Sequence, residues 1–142
     1  IRYQNSQRYM ECRLVSLWNA ARYFGIEAPE PGSKQYEDAC EKACCVIGAC
    51  IDISEEEERL GLRRVRGKRR LHWIRRNLPV ELGIRHPRRG FHSVLIIEVR
   101  RGRVLLTNYA KGRVFWLKWD TVNRMIPQRP NNKVFRYERV KI

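Results

Sequence analysis

The sequence predicts an α+β domain, with helices gathered toward the N-terminus and an antiparallel sheet toward the C-terminus. Three observations carry that expectation. Apolar residues following Cys12 (Leu14, Val15, Leu17, Trp18, Ala21, Tyr23 and Phe24) recur at near-helical spacing. From His92 onward the pattern changes to short apolar runs separated by Gly-containing turns, as antiparallel strands require. The helical and strand segments also follow one another in blocks, the order expected of this fold class. With 142 residues, 43% of them hydrophobic, the chain is long enough for one domain with a real core. That domain is expected to span 1–142, with a helical part at 1–78 and a sheet part at 79–142.

Taken in order, the first helix is predicted over 12–25 and ends at Gly25, a good C-terminal stop. The connection EAPEPGS leads to a second short helix over roughly 34–46. Ser33 and Ser54 are candidate helix caps, and SEEEERLGL reads as a helix start because acidic side chains suit the positive end of the macrodipole. LPVELGIRHPRRG then leads toward the sheet. FHSVLIIEV, RVLLTNY and VFWLKW are predicted to form a meander, joined by turns at RRGR and AKGR. A short helix from Asp120 to Met125 and a closing strand in KVFRYERVKI complete the order.

Thirty Lys and Arg against fifteen Asp and Glu give a net charge of +15. Such a balance attracts polyanions: nucleic acid, an acidic membrane surface or an acidic protein. It equally fits the charge-rich surfaces of heat-stable proteins. Nine of the basic residues fall within 59–76. There Arg63, Arg64, Arg66, Lys68, Arg69 and Arg70 are candidates for phosphate contacts, and Trp73 for stacking on an unpaired base. The alternative is that the apolar residues of this stretch face the core while the arginines cover the outside. No zinc-finger, RNP or Gly-x-x-Gly signature accompanies it. No run approaches eighteen apolar residues, so no membrane span is expected. IRYQNSQRY lacks the apolar stretch of a signal peptide, which makes the cytoplasm the expected location.

Five cysteines divide into a cluster and a singleton. Cys40, Cys44, Cys45 and Cys50 share eleven residues, and three states stay open for them: buried thiols, one or two disulfides, or a four-thiolate metal site. The adjacent Cys44-Cys45 and the missing Cys-x-x-Cys knuckles fit zinc poorly, so neither a metal nor another cofactor is expected. Cys12 is the odd one out. At a helix N-terminus the macrodipole favours its thiolate, while Glu11 beside it works in the opposite direction. A nucleophilic cysteine needs a base and a group that orients the base. His92 opens the first long strand, and Asn108, sixteen residues later, closes its neighbour. A hairpin turning near Arg101-Gly102 brings both to the same end of the ladder. The oxyanion of an acyl transfer would take the Cys12 N–H and an amide from Gln4 or Gln7.

These residues resemble the papain-like cysteine peptidases, in the branch of double-glycine leader peptidases and their stand-alone relatives. The resemblance lies in Gln4, Cys12, Ser16-Leu17 and Tyr23-Phe24-Gly25, then in His92 before SVLIIEV, Asn108 ahead of Lys111-Gly112, and the following VFWLKWDTV. The chain departs from that branch at Glu11, where Gly is usual, and at Asn108, where Asp is more frequent. It implies a papain-like fold in which the cysteine-bearing helix packs on the antiparallel sheet. It also implies a thiol hydrolase acting on a peptide or protein substrate. Cys12 would attack, His92 exchange the proton, Asn108 orient the imidazole and Gln4 hold the oxyanion. The alternative is a catalytically inactive relative that uses the fold as a nucleic-acid-binding or structural module through the basic segment 59–76.

Overall fold

The computed structural model describes residues 2–6, 11–43, 52–88, 90–110, 113–128 and 133–140. Eleven elements follow in order: α1 (Cys12–Tyr23), α2 (Lys34–Ala43), α3 (Ser54–Leu60), β1 (Leu62–Arg66), α4 (Leu71–Arg76), β2 (Val80–His86), β3 (Gly90–Arg100), β4 (Arg103–Ala110), β5 (Arg113–Lys118), α5 (Trp119–Met125) and β6 (Val134–Arg139). The strands form one six-stranded sheet in the order β1-β6-β2-β3-β4-β5, every adjacent pair antiparallel. The α+β class and the meander β3-β4-β5 agree with the sequence reading.

Local chemistry explains the boundaries. α1 is followed by Gly25 at φ 77°, whose left-handed backbone ends the helix. Ser33 Oγ accepts from the Tyr36 N–H at 3.2 Å and caps α2 as expected. At the start of α3 the cap comes instead from Asp52, whose carboxylate accepts from both the N–H (3.0 Å) and the hydroxyl (2.6 Å) of Ser54.

The division at residue 78 needs correction. Gly61, at φ 67°, stops α3, and the chain immediately enters the sheet as β1. There the arginine-rich stretch pairs with β6, and Arg63 meets Glu138 on the neighbouring strand. The stretch before His92 likewise forms β2, a strand held between β6 and β3. Val80, Leu82 and Ile84 alternate with Glu81, Gly83 and Arg85 as a strand requires, but the flanking prolines Pro79 and Pro87 gave the segment the look of a connection.

The sheet is packed on both faces. On one side α1, α2 and α3 bury Leu14, Leu17, Trp18 and Tyr36 against Leu62, Leu95 and Tyr137. On the other, α4 and α5 bury Ile74, Val122 and Ile126 against Val80, Leu82, Val94, Ile96 and Leu106. Among the described residues no helix is long and apolar enough to cross a membrane.

Candidate active site

The site lies where the β3–β4 ladder breaks. Register runs regularly from Arg100↔Arg103 to Leu95↔Thr107 apart from a bulge between Ile96 and Glu98, and there the pairing ends. Asn108, at φ 63°, turns the backbone away, an excursion Asn tolerates better than most residues. A continuing strand would have paired the backbone of Ser93. In its place the Asn108 amide donates to the Ser93 carbonyl and to the Cys12 carbonyl, both at 2.9 Å. The Cys12 backbone is thereby tied to the gap in the sheet.

α1 carries Cys12 into that gap in its first turn. There it lies beside the unpaired N–H groups of a helix start. Burial nevertheless pushes the Cys12 thiol above its ordinary value. The Ser93 N–H pulls the other way, the Glu81 carboxylate adds to the rise, and the N–H and charge of Arg13 fail to offset it. The expectation that the helix terminus would favour a thiolate is therefore reversed in this state. Glu11, fully buried, turns its carboxylate toward the Tyr36 hydroxyl (2.7 Å) and the Cys40 thiol (3.9 Å).

His92 approaches the same strand end from the opposite side. Successive residues of a strand face opposite ways. Ser93 faces α1, so His92 sets off toward His86, its ring centroid 5.7 Å away in an edge-to-face arrangement, and His86 in turn packs on Tyr109. His92 Nε2 contacts the Asn108 carbonyl. A carbonyl only accepts, so Nε2 carries the hydrogen.

Asn108 does not meet His92 through its side chain. Its Oδ1 accepts from the Ser6 N–H (2.8 Å) and hydroxyl (2.7 Å), while Nδ2 donates to the Cys12 carbonyl (2.9 Å), the Ser16 hydroxyl (3.4 Å) and the Ser93 carbonyl. The backbone of Asn108 holds the imidazole, and its side chain holds the cysteine-bearing helix. Gln4 lies elsewhere: its N–H and carbonyl pair with the Asn19 side chain (both 2.9 Å), and its amide donates to the Pro29 carbonyl at 3.3 Å. Asn19 is seven residues along α1 from Cys12, about 10 Å by helical rise. Gln4 is thus placed away from the thiol, and Gln7 falls outside the described residues.

Sequence reasoning missed the polar cluster behind Cys12. Glu81 on β2, 2% exposed, receives the Ser93 hydroxyl (2.9 Å), Arg64 (3.1 Å), Arg13 (3.5 Å) and the Tyr137 hydroxyl. Ser93 Oγ also lies 2.9 Å from Ser16 Oγ. A carboxylate within the apolar run LPVELGI was the available signal, because a charge enters a core only with partners.

The basic segment runs from β1 into α4, and several of its side chains have partners within the fold. Arg63 pairs with Glu138, Arg64 with Glu81, Arg66 lies over Phe135, and Arg69 bonds Asn123. Trp73 is half-buried with its ring against Gly67, where a Cβ would lie 2.0 Å from it, so the indole is no open stacking platform. Arg63, Arg66, Lys68 and Arg70 are all exposed. Cys40 is buried beside Glu11, whereas Cys44, Cys45 and Cys50 fall outside the described residues. Among the described residues no group of three or more His, Cys, Asp or Glu side chains could hold a metal ion. No protein-family model matches the sequence, and no curated protein matches it.

Proposed function

We propose that the chain is a thiol hydrolase of papain-like architecture, with Cys12 as nucleophile and His92 as its proton acceptor. One observation supports this reading: where β4 leaves β3, Asn108 is tied to Cys12 through its side-chain amide and to His92 through its backbone carbonyl. The thiol attacks a carbonyl as its proton passes to the imidazole of His92, and the resulting imidazolium donates to the leaving group. The N–H groups at the start of α1 are the donors closest to a developing oxyanion. In the resting state the thiol stays protonated, so its proton must move as substrate enters.

A second reading has its own support. The Asn108 side chain is fully committed to Ser6, Cys12, Ser16 and Ser93, and the Gln4 amide to Pro29, which suits a scaffold that has kept the fold and lost the reaction. Iodoacetamide labelling mapped by mass spectrometry separates the two. For a hydrolase, Cys12 labels faster than the equally buried Cys40 at pH 6, and His92→Ala removes the advantage. If Cys12 labels no faster, or His92→Ala leaves its rate unchanged, the scaffold reading stands.

A further inference from the structure

We propose that the outer face of β4 and β5, on the α1 side of the sheet, binds single-stranded nucleic acid. This surface lies outside the 59–76 segment and does not depend on the thiol chemistry. Register fixes its composition. Arg100 lies directly opposite Arg103, Arg103 opposite Lys118, and Leu105 opposite Trp116. Leu105 is two residues from Thr107, which pairs with Leu95 under α1, so all of these side chains share the α1 face. α1 packs on β3 and β4, while on β5 Val114 and Trp116 stand exposed, the indole at 37%.

The charges on this face are arranged against the protein's own stability. Residues directly opposite on neighbouring strands have Cβ atoms about 5 Å apart, and like charges there repel. Arg100, Arg103 and Lys118 nevertheless form one row across three strands. Glu98 offsets Arg100 at 2.7 Å and Asp120 opens the helix after Lys118, yet among the described residues no ion pair within 4.0 Å reaches Arg103 or Lys118. A row of phosphates relieves that repulsion. Beside it, the Arg100 guanidinium lies 5.7 Å over the Trp116 ring, placing a cation and an aromatic face together as an unpaired base and its phosphate require. The exposed indole favours a single strand over an acidic protein, which would use the charges alone. It is also too isolated, with Val114, to anchor a membrane surface.

Fluorescence anisotropy of a labelled oligothymidine with the full chain at low salt tests this. Binding is expected to weaken steeply with salt, and the double change Arg103→Glu with Lys118→Glu to weaken it by about thirtyfold or more. Trp116→Ala is expected to cost about tenfold and Trp116→Phe much less, because Phe still stacks. Lys68→Glu with Arg75→Glu, in the 59–76 segment, is expected to change little. The proposal is overturned if that control weakens binding as much as the sheet variant. It is equally overturned if Trp116→Ala has no effect, or if polyglutamate or phosphatidylserine vesicles displace the oligonucleotide as well as unlabelled oligothymidine does.

Discussion

The two ends of the β3–β4 ladder are built on opposite plans. At the hairpin end Arg100 pairs with Arg103, and Arg101 (φ 52°) with Gly102 (φ 75°) closes the tight turn that matches strand twist. The backbone satisfies itself there, so the side chains are left to solvent and to partners. At the other end Asn108 also takes a left-handed backbone, but it opens the ladder instead of closing it. The Ser93 and Cys12 carbonyls at that opening are claimed by the Asn108 amide, and all three residues are buried. An intact ladder displays charge, whereas a broken one draws side chains inward and makes a site of them.

Breaking the buried end is expected to have the largest effect. Glu81→Ala leaves Arg13 and Arg64 facing an emptied core position, and removing one partner of a buried charged cluster costs about 4 kcal/mol. Urea denaturation should show it as a lowered midpoint with an unchanged slope. Asn108→Asp comes next. Its two oxygens cannot donate, so the Cys12 and Ser93 carbonyls would face an anion, and the loss is expected to be about 3 kcal/mol by the same measurement. A variant as stable as wild type would mean that the gap is held by packing rather than by these bonds.

This contrast also explains what could be read from the chain beforehand. The α1 helix and the meander were legible because local periodicity and turn chemistry determine them. The meeting of His92 and Asn108 at one strand end was legible because hairpin arithmetic places residues 92 and 108 together. The role of the Asn108 side chain was not, since it depends on a positive φ that turns the amide toward α1 and away from the imidazole. Nor was β1, whose arginines read as a surface run until β6, some seventy residues later, supplied Glu138 and Phe135. Gln4 was misplaced for a similar reason: Asn19, a polar residue on the buried side of α1, captures its backbone.

A rise in pH probes the buried end without mutation. The folded Cys12 keeps its proton above the ordinary thiol value of about 8.5, where the unfolded chain releases it. The folded state then binds more protons, so stability falls as pH climbs from that value through the raised one. Cys12→Ser should flatten the first part of the decline in a series of urea melts. Tyr137, held well above the ordinary phenol range by burial and by Glu81, contributes in the same direction at higher pH, so the serine variant should retain that later loss. Identical profiles for the two proteins would show that the thiol is not desolvated.

The smallest effect belongs to the hairpin end. Arg101 adopts a left-handed backbone that costs a residue with a Cβ about 1 kcal/mol or more, and this turn type favours Asn before Gly. Arg101→Asn is therefore expected to stabilise the fold by about 0.5 kcal/mol, or about 2 °C in melting temperature. The same change removes a cation next to the row of Arg100, Arg103 and Lys118, which would also stabilise it. Arg101→Ala separates the two causes, because it removes the charge and keeps the strained backbone. If Ala raises the melting temperature as much as Asn does, the gain comes from relieved repulsion, and the hairpin end is limited by its charges rather than by its turn. If only Asn raises it, the turn carries the strain and the charged row is tolerated.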